Sequence, residues 1–210
     1  MNYYQHRRPE VLALVQTPPA KVLDIGCGAG IFSAAVKEKF SAEVWGVEMS
    51  PVAAQEAADR LDRVHTGTFE EVASQIPDGY FDAIFFNDVL EHMTSPEAAL
   101  QAVKQKLAPG GKVYASIPNF LFAENIIRLL KTRDWEYTDS GILDRTHFRF
   151  FTRKSILRFF DTNHYQVERC QPLNAINSAK WRLMGWITRG YTADFLPMQY
   201  GIVASPCPSK

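Results

Sequence analysis

Val22-Leu23-Asp24-Ile25-Gly26-Cys27-Gly28-Ala29-Gly30 decides the fold of this 210-residue chain. An apolar stretch beginning Lys21-Val22-Leu23 leads into an acid and then into alternating glycines, and a helix-compatible segment, 31–40, follows at once. That order reads as a buried strand, a tight turn with almost no side chain, and a helix N-terminus. Such a turn lets a ligand lie against bare backbone, with N–H groups and the helix dipole facing it. Asp24 falls at the carboxyl end of the strand, where open α/β sheets bind their ligands.

Outward from this turn, strand and helix signals alternate. A short helix is expected over 7–15, a second strand over 43–47, and an Ala-rich helix from Ser50-Pro51 to about Leu61. Ser50 suits the N-cap there and Pro51 the first helical position. A third strand is expected near 63–66, a helix over 69–75, and a fourth strand over 80–86, apolar at nearly every position as a strand buried on both faces should be. Pro96 opens a helix that ends before Pro109-Gly110-Gly111, and 112–117 is the fifth strand. Strands separated by helices in this way give a doubly wound parallel sheet. Beyond Pro118 the pattern predicts a helix over 119–131, an irregular aromatic and charged stretch over 132–150, a helix from Thr152 to Asp161, a sixth strand over 165–170, a Trp-containing helix or lid over 175–190 and a last strand over 199–204.

The length suits one domain with a substantial core. Residues 1–19 read as an N-terminal cap, 20–118 as the ligand-binding core, 119–150 as a substrate-side insertion or lid, and 151–210 as the completion of the sheet. With 46% apolar and 22% charged residues the composition is that of a soluble globular protein. No apolar run reaches the ~18 residues of a membrane span, and the polar start of the chain lacks a signal-peptide core, so a cytoplasmic protein is expected. Cys27, Cys170 and Cys207 are far apart and form no Cys-x-x-Cys pair, so neither a disulfide framework nor a metal site is expected. The net charge is zero, but 43–103 holds 12 acids against 2 bases, whereas 104–210 holds 16 bases against 8 acids. Solvated helix faces account for such an imbalance; the sharper reading is a C-terminal part that faces an anionic acceptor. No dense basic-aromatic motif points to nucleic acid.

The glycine loop alone would serve any adenosyl ligand. Ile31 departs from the Gly-x-Gly-x-x-Gly spacing of NAD sites, and Asp24, two residues before the first glycine, suits a cationic ligand. Glu48 ends the second strand, where an acid can take both hydroxyls of a ribose.

Together VLDIGCGAG, VWGVEMS, FDAIFFNDVLEHM and LAPGGKVYASIPN resemble the ordered motifs of class I S-adenosylmethionine-dependent methyltransferases, in the small-molecule branch that includes ubiquinone- and menaquinone-type enzymes. LDRTHFRFFTRKSILRFF is similar to a module in members linked to polysaccharide and secondary-metabolite pathways. The resemblance implies a Rossmann-like, doubly wound α/β fold with a seven-stranded, mostly parallel sheet and an antiparallel last strand. It implies S-adenosyl-L-methionine as cofactor and S-adenosyl-L-homocysteine as product. Asp24, Gly26, Cys27, Gly28 and Gly30 would cradle the methionine part, Glu48 the ribose, and Met49 the adenine face. The acid that members often carry after strand three is absent, so Thr68 or the Phe69 backbone would meet the adenine. Asn87 and Asp88 would contact the amino-acid end of the cofactor, with Val89 and Leu90 closing around it. Tyr3, Tyr4 and Arg8 would cap the site, Arg8 pairing with the cofactor carboxylate.

Methyl transfer from a sulfonium needs in-line positioning and exclusion of water, and a base only where the nucleophile loses a proton. His92 and His147 are the candidates for that base, with Asp88 and Glu91 near enough in sequence to orient His92. Arg145, Arg149 and Arg153 suit a phosphate or carboxylate on the acceptor. The expectation is methyl transfer to a small molecule, oxygen first and carbon or nitrogen behind it, by a monomer or homodimer. The rival readings are a non-catalytic cofactor- or partner-binding domain and an NAD-dependent oxidoreductase.

Overall fold

The computed structural model describes residues 7–178, 187–188 and 192–208. Its centre is a seven-stranded sheet in the order β3-β2-β1-β4-β5-β7-β6. The strands are β1 (Lys21–Ile25), β2 (Glu43–Glu48), β3 (Arg63–Thr66), β4 (Phe81–Asn87), β5 (Leu107–Pro118), β6 (Tyr165–Ala175) and β7 (Pro197–Pro206). The first five are parallel; β7 runs antiparallel to β5 and to β6. The helices are α1 (Pro9–Leu12), α2 (Ile31–Phe40), α3 (Pro51–Ala58), α4 (Phe69–Val72), α5 (Pro96–Lys106), α6 (Ala123–Thr132) and α7 (Arg153–Thr162). Two apolar clusters lie on the two faces of the sheet. One gathers Leu23, Ile25, Phe86, Ile84 and Ile156, the other Val22, Val44, Phe85, Phe32 and Val203. The alternation Val22/Leu23 and Phe85/Phe86 between clusters is the period-two geometry of strands buried on both sides.

The strand expected at 21–25, the helix at 31–40 and the third strand at 63–66 are found with those bounds. Elsewhere the structure corrects the sequence reading. The helix expected over 7–15 is only Pro9–Leu12. Arg8 takes a left-handed φ of 44°, which delays its start, and the Leu14 carbonyl accepts from Arg169 instead of continuing the turn. The helix expected from 119 starts at Ala123. Asn119 is held away from it: its backbone bridges Phe151, and its amide donates to the Asp194 and Pro197 carbonyls at 2.7 and 2.8 Å. β5 starts before the expected 112. A Cβ on Gly111 would lie 2.7 Å from the Phe81 carbonyl oxygen, so only glycine lets β5 approach β4 so closely at this irregular step. Long antiparallel pairing extends β6 and β7 beyond 165–170 and 199–204. Most of the helix or lid expected over 175–190 lies outside the described residues. Among the described residues no helix is long and apolar enough to cross a membrane.

Candidate active site

The carboxyl ends of β1, β2 and β4 converge on the glycine loop. Gly26, Gly28 and Gly30 all have positive φ, 72°, 55° and 76°. At Gly26 the constraint is steric as well, since a Cβ there would come within 2.5 Å of Val89 Cγ2. The loop amides do not simply face outward as the sequence suggests. Gly26 and Cys27 donate to the Val47 carbonyl at 2.8 and 3.1 Å, Gly30 donates to Cys27, and Gly28 donates to Glu48 Oε2 at 2.8 Å. The turn is thus stitched to the end of β2. Cys27 is buried and packs beside Gly46; burial pushes its thiol up, so it fills space and is not a nucleophile.

Glu48 is buried, and each of its oxygens accepts one backbone N–H: Oε2 from Gly28 and Oε1 from Ser50, both at 2.8 Å. An ionised carboxylate has about four acceptor sites, so two remain for hydroxyls of a ligand. Met49 follows, a large apolar side chain with 71% of its surface exposed.

Asp24 is buried. Its Oδ2 accepts a short hydrogen bond from Ser33 Oγ, and its Oδ1 has no partner. Burial, with a smaller push from Glu48, raises its pKa to about 7, against the pull of the Ser33 hydrogen bond. At the end of β4, both side-chain atoms of Asn87 are likewise buried and without a partner.

Other expected contacts are committed elsewhere. Thr68 is the N-cap of α4: its N–H donates to Glu71 Oε2 at 2.8 Å, and its hydroxyl accepts from the Glu71 N–H, forming a capping box. Phe69 and Leu90 are core residues with almost no exposed surface, so Leu90 does not close over a ligand. Val89 packs on Gly26. Asp88 and Arg8 face each other. Arg8 Nη1 donates to Asp88 Oδ2 at 2.5 Å, its Nη2 to Ser116 Oγ and Gln199 Oε1 at 3.1 Å, and its Nε to Glu10 at 2.7 Å. Asp88 Oδ1 accepts from Ser116 Oγ and Gln199 Nε2, both at 2.9 Å. Burial would lower the Arg8 pKa, but Asp88 and Glu10 outweigh it and hold the guanidinium firmly charged. Arg8 therefore neutralises a buried acid of the sheet and is not free to take a cofactor carboxylate. Tyr3 and Tyr4 lie outside the described residues.

The insertion folds back onto the segment after β4. Phe148 and Arg149 N–H groups donate to the Glu91 carbonyl at 2.8 and 3.2 Å. This brings His147 against His92, ring centroids 4.5 Å apart in an edge-to-face pair. His147 Nδ1 lies 3.1 Å from the Ile142 carbonyl, which only accepts, so Nδ1 carries the proton. His92 Nδ1 lies 3.3 Å from the Thr146 carbonyl and 3.0 Å from Thr146 Oγ1, whose own proton goes to Asp144 at 2.6 Å. Nδ1 is the donor there as well, so a neutral ring at either position keeps its lone pair on Nε2. Burial and the neighbouring His92 lower the His147 pKa. Beside them Glu91 is fully buried with both carboxyl oxygens unpartnered, and burial together with Asp88 pushes its pKa up. From sequence Glu91 reads only as an orienter of His92, and its position directly before that histidine is the one available signal.

His92 and His147 line a cavity of about 380 Å³, closed by Pro118, Met198 and Gln199 on the sheet side and by 139–146 on the insertion side. The expected arginine trio is not assembled there. Arg145 pairs with Asp139 at 2.8 Å, and Arg149 donates to the Thr94 carbonyl at 3.0 Å. Aromatic rings flank the insertion: Trp135 stacks on Phe120 at 5.3 Å, and Phe150 meets both edge-on.

Comparison with known proteins agrees with this layout. A methyltransferase domain family model matches residues 2–169. Ubiquinone biosynthesis O-methyltransferase of Pseudomonas aeruginosa is 36% identical over 127 residues, covering 52% of this chain and 53% of that protein. The protein of the same name from Xanthomonas campestris is 32% identical over 146 residues, covering 61% and 59%. This chain thus spans a little over half the length of these relatives. Among solved structures, a SAM dependent methyltransferase from Archaeoglobus fulgidus superposes with a TM-score of 0.68 at 18% identity, covering 95% of this chain and 94% of that one. The [4+2]-cyclase SpnF superposes with a TM-score of 0.63, also at 18% identity, covering 96% and 80%. The match over four-fifths of its length, on a Rossmann-like sheet with the glycine loop and Glu48 in place, means that the chain belongs to the methyltransferase domain family, the class I enzymes that use S-adenosylmethionine.

Proposed function

We propose that this chain transfers a methyl group from S-adenosylmethionine to an oxygen of a small molecule bound in the cavity between the end of β5 and the insertion. The cavity walled by His92 and His147 carries this reading. Its volume suits a small molecule, and Pro118 at the carboxyl end of β5 and His92 just after β4 are among its walls. The similarity to O-methyltransferases supports oxygen as the nucleophile.

The residues present fit the donor. Asp24 Oδ1 and the Asn87 amide are buried polar atoms without partners at adjacent strand ends, which a polar, cationic ligand would satisfy. Glu48 keeps free acceptor sites for ribose hydroxyls, and exposed Met49 offers a face to the adenine. S-adenosylmethionine supplies a methyl group already activated by its positive sulfur. The chain's own task is placement. The glycine loop, fixed to β2 by Glu48, sets the donor's depth, while the insertion walls the acceptor cavity. Such orientation contributes up to ~7–11 kcal/mol. The acceptor hydroxyl must also lose its proton, and His92 and His147 on the cavity wall, with the buried Glu91 beside them, are where that proton is handled.

Calorimetry with S-adenosylhomocysteine, then a mass-shift assay for a gain of one methylene unit across phenols, polyol hydroxyls, amines and enolisable carbons, tests the proposal. Binding of the sulfur ligand with oxygen acceptors favoured is the expected result; binding of NAD instead would overturn it. A second reading has one observation in its favour: a cyclase shares the fold, so the fold alone does not require methyl transfer. Tight donor binding with no methylated product in any class would favour it.

A further inference from the structure

The Glu91–His92–His147 cluster has more order than proton handling requires. Glu91 oxygen, His92 nitrogen and His147 nitrogen atoms all lie within 4.8 Å of one another. Both carboxyl oxygens of Glu91 are buried without a hydrogen-bond partner, a costly arrangement unless something else satisfies them. Each imidazole presents an Nε2 lone pair because its Nδ1 proton is held by a carbonyl: Ile142 for His147, Thr146 for His92. Metal-bound histidines are oriented in this way, the second nitrogen donating to a carbonyl or carboxylate that fixes the tautomer. Asp144 extends this second layer by holding the Thr146 hydroxyl.

We propose that Glu91, His92 and His147 bind a divalent first-row transition ion, of which Zn²⁺ is the simplest example, at the wall of the acceptor cavity. Two imidazoles and one carboxylate are a ligand set for such ions and leave at least one coordination position for an outside oxygen. The ligand atoms need to close by roughly 1 Å to meet an ion at about 2.0–2.1 Å, within the reach of side-chain rotation. The sequence alone gave no hint of this, because His147 is 55 residues beyond His92 and no motif links them. The role of the ion rests on the methyl-transfer reading. A hydroxyl bound to it loses its proton to water in the cavity more readily, and the resulting oxygen anion is held at the cavity wall.

The test uses the full chain after treatment with a chelator. Titration with Zn²⁺ should show one ion per chain, and Co²⁺ should give visible absorption bands of an imidazole-containing site. Glu91→Gln and His147→Gln should each weaken Zn²⁺ binding at least tenfold and alter the Co²⁺ spectrum. Glu91 is buried and its variant risks misfolding, so His147→Gln, at a half-buried position in the mostly exposed insertion, decides the matter alone if circular dichroism shows loss of structure in the first. Equal Zn²⁺ affinity in wild type and His147→Gln, or no uptake by the wild type, overturns the proposal. S-adenosylhomocysteine binding by the metal-free chain is measured in parallel. Its loss would count against the methyl-donor reading, and its persistence without ion uptake would count against the metal site alone.

Discussion

Glu48 Oε2 accepts the Gly28 N–H at 2.8 Å, so the acid at the end of β2 holds the glycine loop of β1 in place. Its other oxygen accepts from Ser50, whose residue caps α3. A glutamine there keeps one acceptor and turns an NH₂ group toward the other backbone N–H. Hydrogen bonds to charged groups contribute about 1.5–3 kcal/mol each. Glu48→Gln should therefore weaken S-adenosylhomocysteine binding by tenfold or more and lower the melting temperature by several degrees. Calorimetry and a thermal scan read both, and unchanged affinity would refute the assigned role.

Gly26 presses on Val89, and the cost of a side chain there has two separable parts. A Cβ would meet Val89 Cγ2 at 2.5 Å, and φ is +72°. Overpacking costs about 1–3 kcal/mol, and the left-handed backbone costs a further 1–2 kcal/mol, roughly. Gly26→Ala should thus be strongly destabilised in urea. Gly26→Ala combined with Val89→Ala should recover part of the loss, leaving the backbone cost. If the second substitution recovers nothing, the clash is not the cause.

The turn that brings Asp24, the glycines and Glu48 together was legible because it is local. Asp24, the glycines and Glu48 fall where an apolar run meets a turn, and such boundaries are written in adjacent residues. The contacts between distant segments were not. Arg8 meets Asp88 across 80 residues and His92 meets His147 across 55, contacts made by tertiary packing that no periodicity announces. The burial of Leu90 was illegible for a related reason. It sits in a single 3₁₀ turn, Leu90–His92, too short to show which face is buried. The reading of Thr68 as an adenine contact missed its capping box, although Thr68-Phe69-Glu70-Glu71 carries the spacing for one.

The buried Asp24 carboxyl makes both the stability of the chain and the proposed donor binding depend on pH. Its folded pKa of about 7 lies well above the ~3.9 of an unfolded aspartate. Between these values the folded state keeps a proton that the unfolded state has lost, so stability falls as the pH rises from about 4 to 7 and levels off above. Donor binding has the opposite sign, since a cationic amino group favours the ionised carboxylate. Affinity for S-adenosylhomocysteine should rise about tenfold per pH unit up to about 7 and then flatten. Asp24→Asn should flatten both profiles. An unchanged slope in that variant would assign the titration to another group.

Arg8 and Asp88 form a buried pair whose two halves should respond unequally to removal. Removing one partner of such a pair costs about 3–5 kcal/mol, because the other charge is left unpaired. Arg8→Met leaves Asp88 with only Ser116 and Gln199, neutral donors that already share Oδ1. Asp88→Asn leaves Arg8 with Glu10 and the Ser116 and Gln199 oxygens, and Arg8 keeps some solvent contact at 15% side-chain exposure. Arg8→Met should therefore be the more destabilising single change, and the double variant should be less destabilised than the two singles added together. Urea unfolding of the four proteins completes the cycle. Strict additivity would show that the two side chains act independently and that the N-terminal segment is not anchored to the end of β4 through this ion pair.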